Sequence, residues 1–153
     1  MSKKYFVQGI MSEFVERLEG LMFERGVNKK MLAQEAQINA TCISHYLLGK
    51  RFPTVESLLK LADYFHRSTD FLLGREEENC NLTFKQCPPF SERLAVLKEE
   101  AGGSAQSFYR GLHISKTCYY SWLSGERKPT LDNIITLATN LDCRVDYILG
   151  RES

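Results

Sequence analysis

The side chains that can bind a ligand are concentrated in two short stretches of the chain, residues 41–51 and 116–128. In the first stretch, Thr41, Ser44 and His45 bring hydroxyl and imidazole groups together, and the cations Lys50 and Arg51 follow directly. Hydroxyl and imidazole groups donate and accept hydrogen bonds, whereas lysine and arginine donate and carry positive charge. The chemistry available here is therefore hydrogen bonding and charge pairing.

Motifs of catalysis and metal binding do not occur in the sequence. H-E-x-x-H, G-x-S-x-G and G-x-x-x-x-G-K-[ST] are absent, and the three histidines occupy unrelated positions. The five cysteines are odd in number, and Cys80 and Cys87 are too far apart for a zinc knuckle. We expect reduced thiols, no enzymatic activity, no cofactor and no bound metal.

The chain consists of two copies of one sequence unit. Residues 14–76 align with residues 90–152 without a gap, and Leu73–Glu76 recurs unchanged as Leu149–Glu152. Each copy is long enough to close its own core, which favours tandem domains over a solenoid. We predict domains over residues 12–76 and 90–152.

Residues 77–89 are polar and end in a proline pair, which predicts a linker. Leu82 and Phe84 within it could instead pack on one of the domains.

Each copy has the pattern of five short helices and no alternation long enough for a sheet, so the predicted fold class is all-α. In repeat 1, Ser12 caps a helix that ends at Gly26, Asn28 caps Lys29–Ala36, and the next helix starts after Asn39. Two helices joined by so short a turn must cross steeply, as in a helix-turn-helix. The other predicted caps are Thr54, Ser68, Ser104, Ser115 and Thr130. In repeat 2 the predicted helices are Ser91–Ala101, Ala105–Leu112, Lys116–Leu123, Leu131–Leu141 and Val145–Leu149.

Both copies carry further residues that follow one pattern at fixed spacing, although not every position matches. The set in repeat 1 is Ala33, Ile38, Asn39, Ile43, Tyr46, Gly49, Pro53 and Asp70–Gly74, and in repeat 2 Ile114, Ser115, Trp122, Gly125, Pro129 and Asp146–Gly150. This pattern resembles the helix-turn-helix domain of phage lambda repressor and Cro-like regulators, the XRE family. The resemblance implies two tandem five-helix lambda repressor-like domains that bind double-stranded DNA, with the second helix of each motif in the major groove.

The resemblance also implies which residues contact DNA. Polar or short side chains at the start of each recognition helix would read base edges: Ala40, Thr41, Ser44, His45, Lys116, Thr117, Tyr120 and Ser121. Cations beside each recognition helix would bind phosphates: Lys29, Lys30, Lys50, Arg51, Arg127 and Lys128. The net charge of +1 does not by itself indicate a nucleic-acid binder, so this prediction depends on where the charges lie.

Repeat 2 departs further from the family pattern than repeat 1 does. The family's glycine in the turn is replaced by Gln37 and His113, so a left-handed turn would be strained or the turn would differ. The small residue at the contact between the two helices is Ala33 in repeat 1 but Tyr109 in repeat 2. We expect repeat 2 either to reorient its recognition helix or to turn Tyr109 outward. DNA binding is therefore predicted for repeat 1 in preference to repeat 2.

The predicted function is sequence-specific transcriptional regulation, with repression of a phage-type or antitoxin-like kind favoured. The alternative is a protein-interaction module on a degenerate helix-turn-helix frame.

We expect a cytoplasmic, nucleoid-associated homodimer in which repeat 2 serves assembly, with a pseudo-dimer of the two repeats as the other arrangement. Apolar residues on the last helices, namely Phe71, Leu72, Tyr147 and Ile148, would supply the pairing surface. No apolar run approaches the length of a membrane span, so no membrane partner is expected.

Overall fold

The structure, a computed structural model, describes residues 3–77 and 84–152. It divides into two compact units, Met1–Asn81 and Leu82–Ser153, here called domain 1 and domain 2. Within the described ranges there are ten helices and no strand, five helices in each domain. The predicted all-α fold class is therefore confirmed. None of these helices combines the length and apolar character that crossing a membrane requires.

The helices of both domains follow the predicted order. Those of domain 1 are α1 (Lys3–Arg25), α2 (Lys29–Ala36), α3 (Ala40–Leu47), α4 (Val55–Phe65) and α5 (Thr69–Leu72). Those of domain 2 are α6 (Phe90–Ala101), α7 (Ala105–Gly111), α8 (Lys116–Ser124), α9 (Leu131–Asn140) and α10 (Val145–Leu149).

Side-chain caps begin most of these helices, as predicted. The backbone N–H of Met31 donates to Asn28 Oδ1 at 2.8 Å, and Ser104 and Ser115 cap α7 and α8 through bonds of 3.1 Å. Thr54 and Ser68 do the same for α4 and α5. Thr130 occupies the cap position of α9, but its hydroxyl bonds the Asp132 carboxylate instead of a helix N–H.

The predicted start of α1 at Ser12 is wrong. α1 begins at Lys3 and passes through Ser12 without a break. Nothing before Ser12 stops a helix, since Gly9 costs only about 1 kcal/mol there. The corresponding stretch of domain 2 holds Pro88 and Pro89, which lack N–H donors, and α6 accordingly starts at Phe90.

The core of each domain lies between the first helix, the motif helices and the fourth helix. In domain 1, Phe14 packs edge-on against Tyr46 with ring centroids 6.0 Å apart, among the buried Leu18, Ile43 and Leu61. In domain 2 the single tryptophan, Trp122, is buried edge-on against Phe90 at 6.1 Å. These aromatic contacts hold the motif helices of each domain onto its first helix.

Two of the four residues predicted to form an apolar pairing surface on the last helices are buried, so the predicted surface is wrong for those two. Leu72 and Ile148 are fully buried. Phe71 is half-buried beneath the guanidinium of Arg17, 4.6 Å from the ring centroid, and Tyr147 lies beneath Arg93 at 5.1 Å. The short final helices use these side chains to close their own domains.

Phe84 packs on domain 2 and is not part of a free linker. The Arg151 guanidinium lies 3.9 Å from its ring centroid, and the Lys85 N–H donates to the Arg151 carbonyl at 2.7 Å. Pro88 lies so close to Gly150 that a Cβ there would be 2.8 Å from the proline Cδ. Residues 84–89 thus form a strap across the end of α10, whereas Leu82 and Cys80 lie outside the described residues.

Beneath the strap, Arg151 is 1% exposed and donates to Asp146 Oδ1 at 3.0 Å. Its counterpart in domain 1, Arg75, pairs with Asp70 at 3.1 Å but leaves 23% of its side chain exposed. The same ion pair is therefore buried in one domain and partly hydrated in the other.

Candidate nucleic-acid interface

α2, a three-residue turn and α3 form the helix-turn-helix of domain 1. Gln37 adopts the left-handed conformation with φ of 58°, and the N–H groups of Gln37 and Ile38 both donate to the Ala33 carbonyl. Asn39 Oδ1 then accepts from the Thr41 N–H at 2.8 Å and starts α3. Of the two alternatives for the missing glycine, the structure shows the strained left-handed turn, and His113 repeats it with φ of 57°.

The predicted base-reading residues of α3 lie on its outer side. Ala40 and Thr41 are exposed at the first turn, and Ser44 and His45 are half-buried one turn later. Such a face presents hydroxyl, imidazole and methyl groups, which can pair with base edges in a groove about 12 Å wide.

The predicted phosphate-binding cations of domain 1 are all exposed. Lys29 and Lys30 lie at the start of α2, where unpaired N–H groups add positive potential, and Lys50 and Arg51 follow α3. Arg51 Nη1 lies 3.6 Å from Cys42 Sγ, a weak hydrogen bond that holds the guanidinium beside the recognition helix. Domain 1 therefore places cations at both ends of its motif.

Domain 2 presents a related but different face. Lys116, Thr117 and Tyr120 are exposed on α8. The remaining predicted contacts are Ser121, which is half-buried, and Arg127 and Lys128, which are exposed. At the start of α7, Ala105 stands where domain 1 has Lys29, so this end of the motif is less positive.

Tyr109 does not turn outward, so that alternative is wrong. It is only 8% exposed and its ring lies 5.4 Å from that of Tyr119 and 6.3 Å from that of Tyr120. The backbone of the recognition helix α8 packs most extensively against that of α6. In domain 1, by contrast, the backbone of α3 packs most extensively against that of α2. A tyrosine between the motif helices thus accompanies altered packing of the recognition helix, which agrees with the other alternative.

Two residues that the sequence did not single out connect α4 to the motif of domain 1. Lys60 Nζ donates to the Gln37 carbonyl at 3.1 Å, and the Tyr64 hydroxyl donates to the Glu35 carboxylate. The bond to Glu35 raises the pKa of Tyr64 above its usual value. The missing glycine at position 37 was the available signal that this turn needs support, but it does not identify the supporting side chain.

Comparison with known proteins agrees with this geometry. A family model described as helix-turn-helix matches residues 21–72 and again residues 94–148. The chain is similar to the HTH-type transcriptional activator BcrR of Enterococcus faecalis, at 34% identity over 65 residues, which cover 42% of this chain and 32% of that protein. It is also similar to the HTH-type transcriptional regulator ImmR of Bacillus subtilis (strain 168), at 31% identity over 86 residues, covering 56% and 68%.

The chain thus spans about a third of the first relative and about two thirds of the second. No solved structure matches it significantly. Two matched segments that together cover more than half of the chain, each with the helix order described above, establish the relationship. The chain belongs to the helix-turn-helix family of lambda repressor-like DNA-binding regulators.

Proposed function

We propose that this protein regulates transcription by sequence-specific binding of double-stranded DNA, with α3 of domain 1 in the major groove. The observation that carries the proposal is the arrangement of domain 1: α3 exposes Thr41 and partly exposes Ser44 and His45, and exposed cations lie at the start of α2 and after α3. Phosphate contacts of this kind fix a helix in the groove, and base contacts then select the sequence.

The two domains divide the work in this proposal. Domain 1 reads bases through Thr41 and His45, and domain 2, in which Tyr109 separates the motif helices, serves assembly. Two chains then pair so that two copies of domain 1 meet the two halves of a palindrome, about 34 Å apart. The protein acts where such DNA lies, at the chromosome in the cytoplasm.

Repression is the proposed direction of regulation, because a domain bound over a promoter blocks access to it. Activation is the second candidate, because one relative is named an activator. A reporter gene placed behind the selected DNA sequence distinguishes the two: expression falls with a repressor and rises with an activator.

An electrophoretic shift with random genomic fragments at low salt tests DNA binding itself. Selection of bound duplexes from a random library then tests specificity, and we expect one enriched sequence with two-fold symmetry. Binding without enrichment, or no binding, would support the remaining alternative, in which the frame serves as a protein-interaction module.

A further inference from the structure

The contacts between α4 and the motif of domain 1 involve none of the residues proposed to contact DNA. Lys60 reaches the turn and Tyr64 reaches α2, as described above. Tyr64 is itself held by Arg25, whose guanidinium lies 4.4 Å from the ring centroid and donates to the Tyr64 carbonyl at 2.6 Å. We call Lys60 and Tyr64 the α4 brace.

The turn between α2 and α3 is the part of the motif that most needs such support. Gln37 keeps a left-handed backbone conformation, in which its Cβ crowds the chain and which glycine adopts without this cost. Lys60 bonds the carbonyl of this same residue, at the end of α2 where the helix dipole favours a positive charge. The brace therefore acts at the strained residue that sets the direction of α3.

At the corresponding positions, domain 2 connects its fourth helix to the motif only through one long contact, made by Asn140. Thr136 stands in place of Lys60 and donates to the Asp132 carbonyl of its own helix. Gly111 stands in place of Glu35 and has no side chain to accept a bond. Asn140, in place of Tyr64, donates a long hydrogen bond of 3.5 Å to the carbonyl of Leu112, at the end of α7.

We propose that Lys60 and Tyr64 are positioning residues, which hold α2 and the turn against α4 so that α3 of domain 1 meets DNA in a fixed orientation. This inference rests on the proposed DNA-binding function. It also supplies a physical difference between the domains: the domain with the exposed cations at both ends of its motif is the one whose motif is braced.

The test compares full-length variants on two duplexes, one selected from a random library with the wild-type chain and one of random sequence. Lys60→Ala and Tyr64→Phe should each weaken binding to the selected duplex about three- to tenfold. Binding to the random duplex and the salt dependence should not change, because neither side chain contacts phosphate in this proposal. Lys60→Arg should bind the selected duplex as tightly as the wild-type chain does, since arginine also donates to a carbonyl.

Two controls separate the brace from nearby effects. Glu56→Gln removes the ion pair of Lys60, whose Nζ lies 3.5 Å from Glu56 Oε1, but leaves the bond to Gln37, and it should bind as wild type. Thr136→Ala changes the matched position of domain 2 and should also leave binding unchanged.

Amide hydrogen exchange on the free protein tests the brace independently of DNA. The N–H groups of Gln37 and Ile38 both bond the Ala33 carbonyl, and in Lys60→Ala they should exchange about three- to tenfold faster. Adding Gln37→Gly to the Lys60→Ala variant should reduce that increase. Tyr64→Phe removes a single hydroxyl and remains informative if Lys60→Ala unfolds domain 1.

The outcomes are distinguishable. Equal binding of the selected duplex by wild type, Lys60→Ala and Tyr64→Phe would overturn the brace alone, as would unchanged exchange at Gln37 and Ile38. A selection that enriches no sequence with the wild-type chain would overturn the proposed function and the positioning role with it.

Discussion

Lys29 and Arg51 carry exposed positive charges at the start of α2 and just after α3. If both bind phosphates, Lys29→Ala and Arg51→Ala should each weaken binding to every DNA sequence. The slope of log affinity against log salt should fall by about one unit in each variant, because one fewer counterion is released. Titrations at several salt concentrations measure this slope.

Lys98→Ala provides the control for charge alone, since Lys98 lies on α6 beside Glu99 and outside the proposed interface. A slope that stays constant in both domain 1 variants would mean that this face does not bind phosphates.

Thr41 lies at the first turn of α3, and its hydroxyl and methyl groups suit a base edge. Thr41→Ala keeps the charge of the protein and should change which base is preferred at one position, by about 1 to 3 kcal/mol. Repeating the selection with the variant chain measures the preference. An unchanged preferred sequence would assign base reading to other residues, and Thr117→Ala provides the matched comparison in domain 2.

Tyr64 and Tyr147 each donate a hydrogen bond to a glutamate, Glu35 and Glu100, and these bonds raise the pKa of both phenols. A folded-state pKa above the unfolded value near 10 adds stability that is complete below that value. The stability is lost as pH rises through the folded pKa. We therefore expect both domains to weaken at strongly alkaline pH.

Ultraviolet titration of tyrosinate follows these two phenols together with Tyr119, whose pKa is also raised, by burial. Tyr64→Phe and Tyr147→Phe should each remove one late-titrating group from the curve. A curve that keeps the same late component in both variants would contradict the two hydrogen bonds.

A matched aspartate–arginine ion pair lies at the end of α5 and at the end of α10, and it is more deeply buried at α10. Asp146→Ala leaves Arg151 buried without this carboxylate and should cost domain 2 about 3 kcal/mol or more. Asp70→Ala should cost domain 1 less, because water can reach Arg75. Chemical unfolding followed by circular dichroism reports both domains, and the fluorescence of Trp122 reports domain 2 alone.

Equal losses in the two variants would show that the strap over Arg151 does not change the environment of the pair. Phe84→Ala should move domain 2 toward the behaviour of domain 1, since it removes the ring that covers the guanidinium.

Helix order and most caps could be predicted from the sequence because they depend on neighbouring residues. Asn28, Ser104 and Ser115 each bond an N–H three residues ahead, which is a local signal. The burial of Tyr109 and the packing of Phe84 depend on residues far away in the chain, and no periodicity carries that information. At Ser12 the local signal itself was misleading. A good capping residue does not start a new helix where nothing interrupts the helix that already passes through it.

The placement of the proposed contact residues on and beside α3 was predictable to the same extent, whereas their contacts with DNA stay a prediction. The resemblance placed Thr41 and Arg51 beside one helix, and the structure finds both exposed there. Lys60 and Tyr64 could not be identified, because their partners Gln37 and Glu35 lie more than twenty residues away.

At the scale of the whole molecule, the proposed homodimer predicts two chains on each palindromic duplex. Sedimentation of the complex with a short duplex measures this number. Replacing Lys116 and Thr117 together by alanine should leave binding intact if domain 2 serves assembly. One chain per duplex, with binding lost in that double variant, would establish the pseudo-dimer instead.

Among residues 3–77 and 84–152, four residues other than glycine have left-handed backbones, and they form two matched pairs: Gln37 with His113, and His66 with Asp142. Each costs about 1 kcal/mol or more relative to glycine. At both points the two domains share the backbone conformation but not the side chain. The path of the backbone is therefore more alike in the two copies than the side chains along it, and glycine at these four sites would be a source of added stability that the molecule does not use.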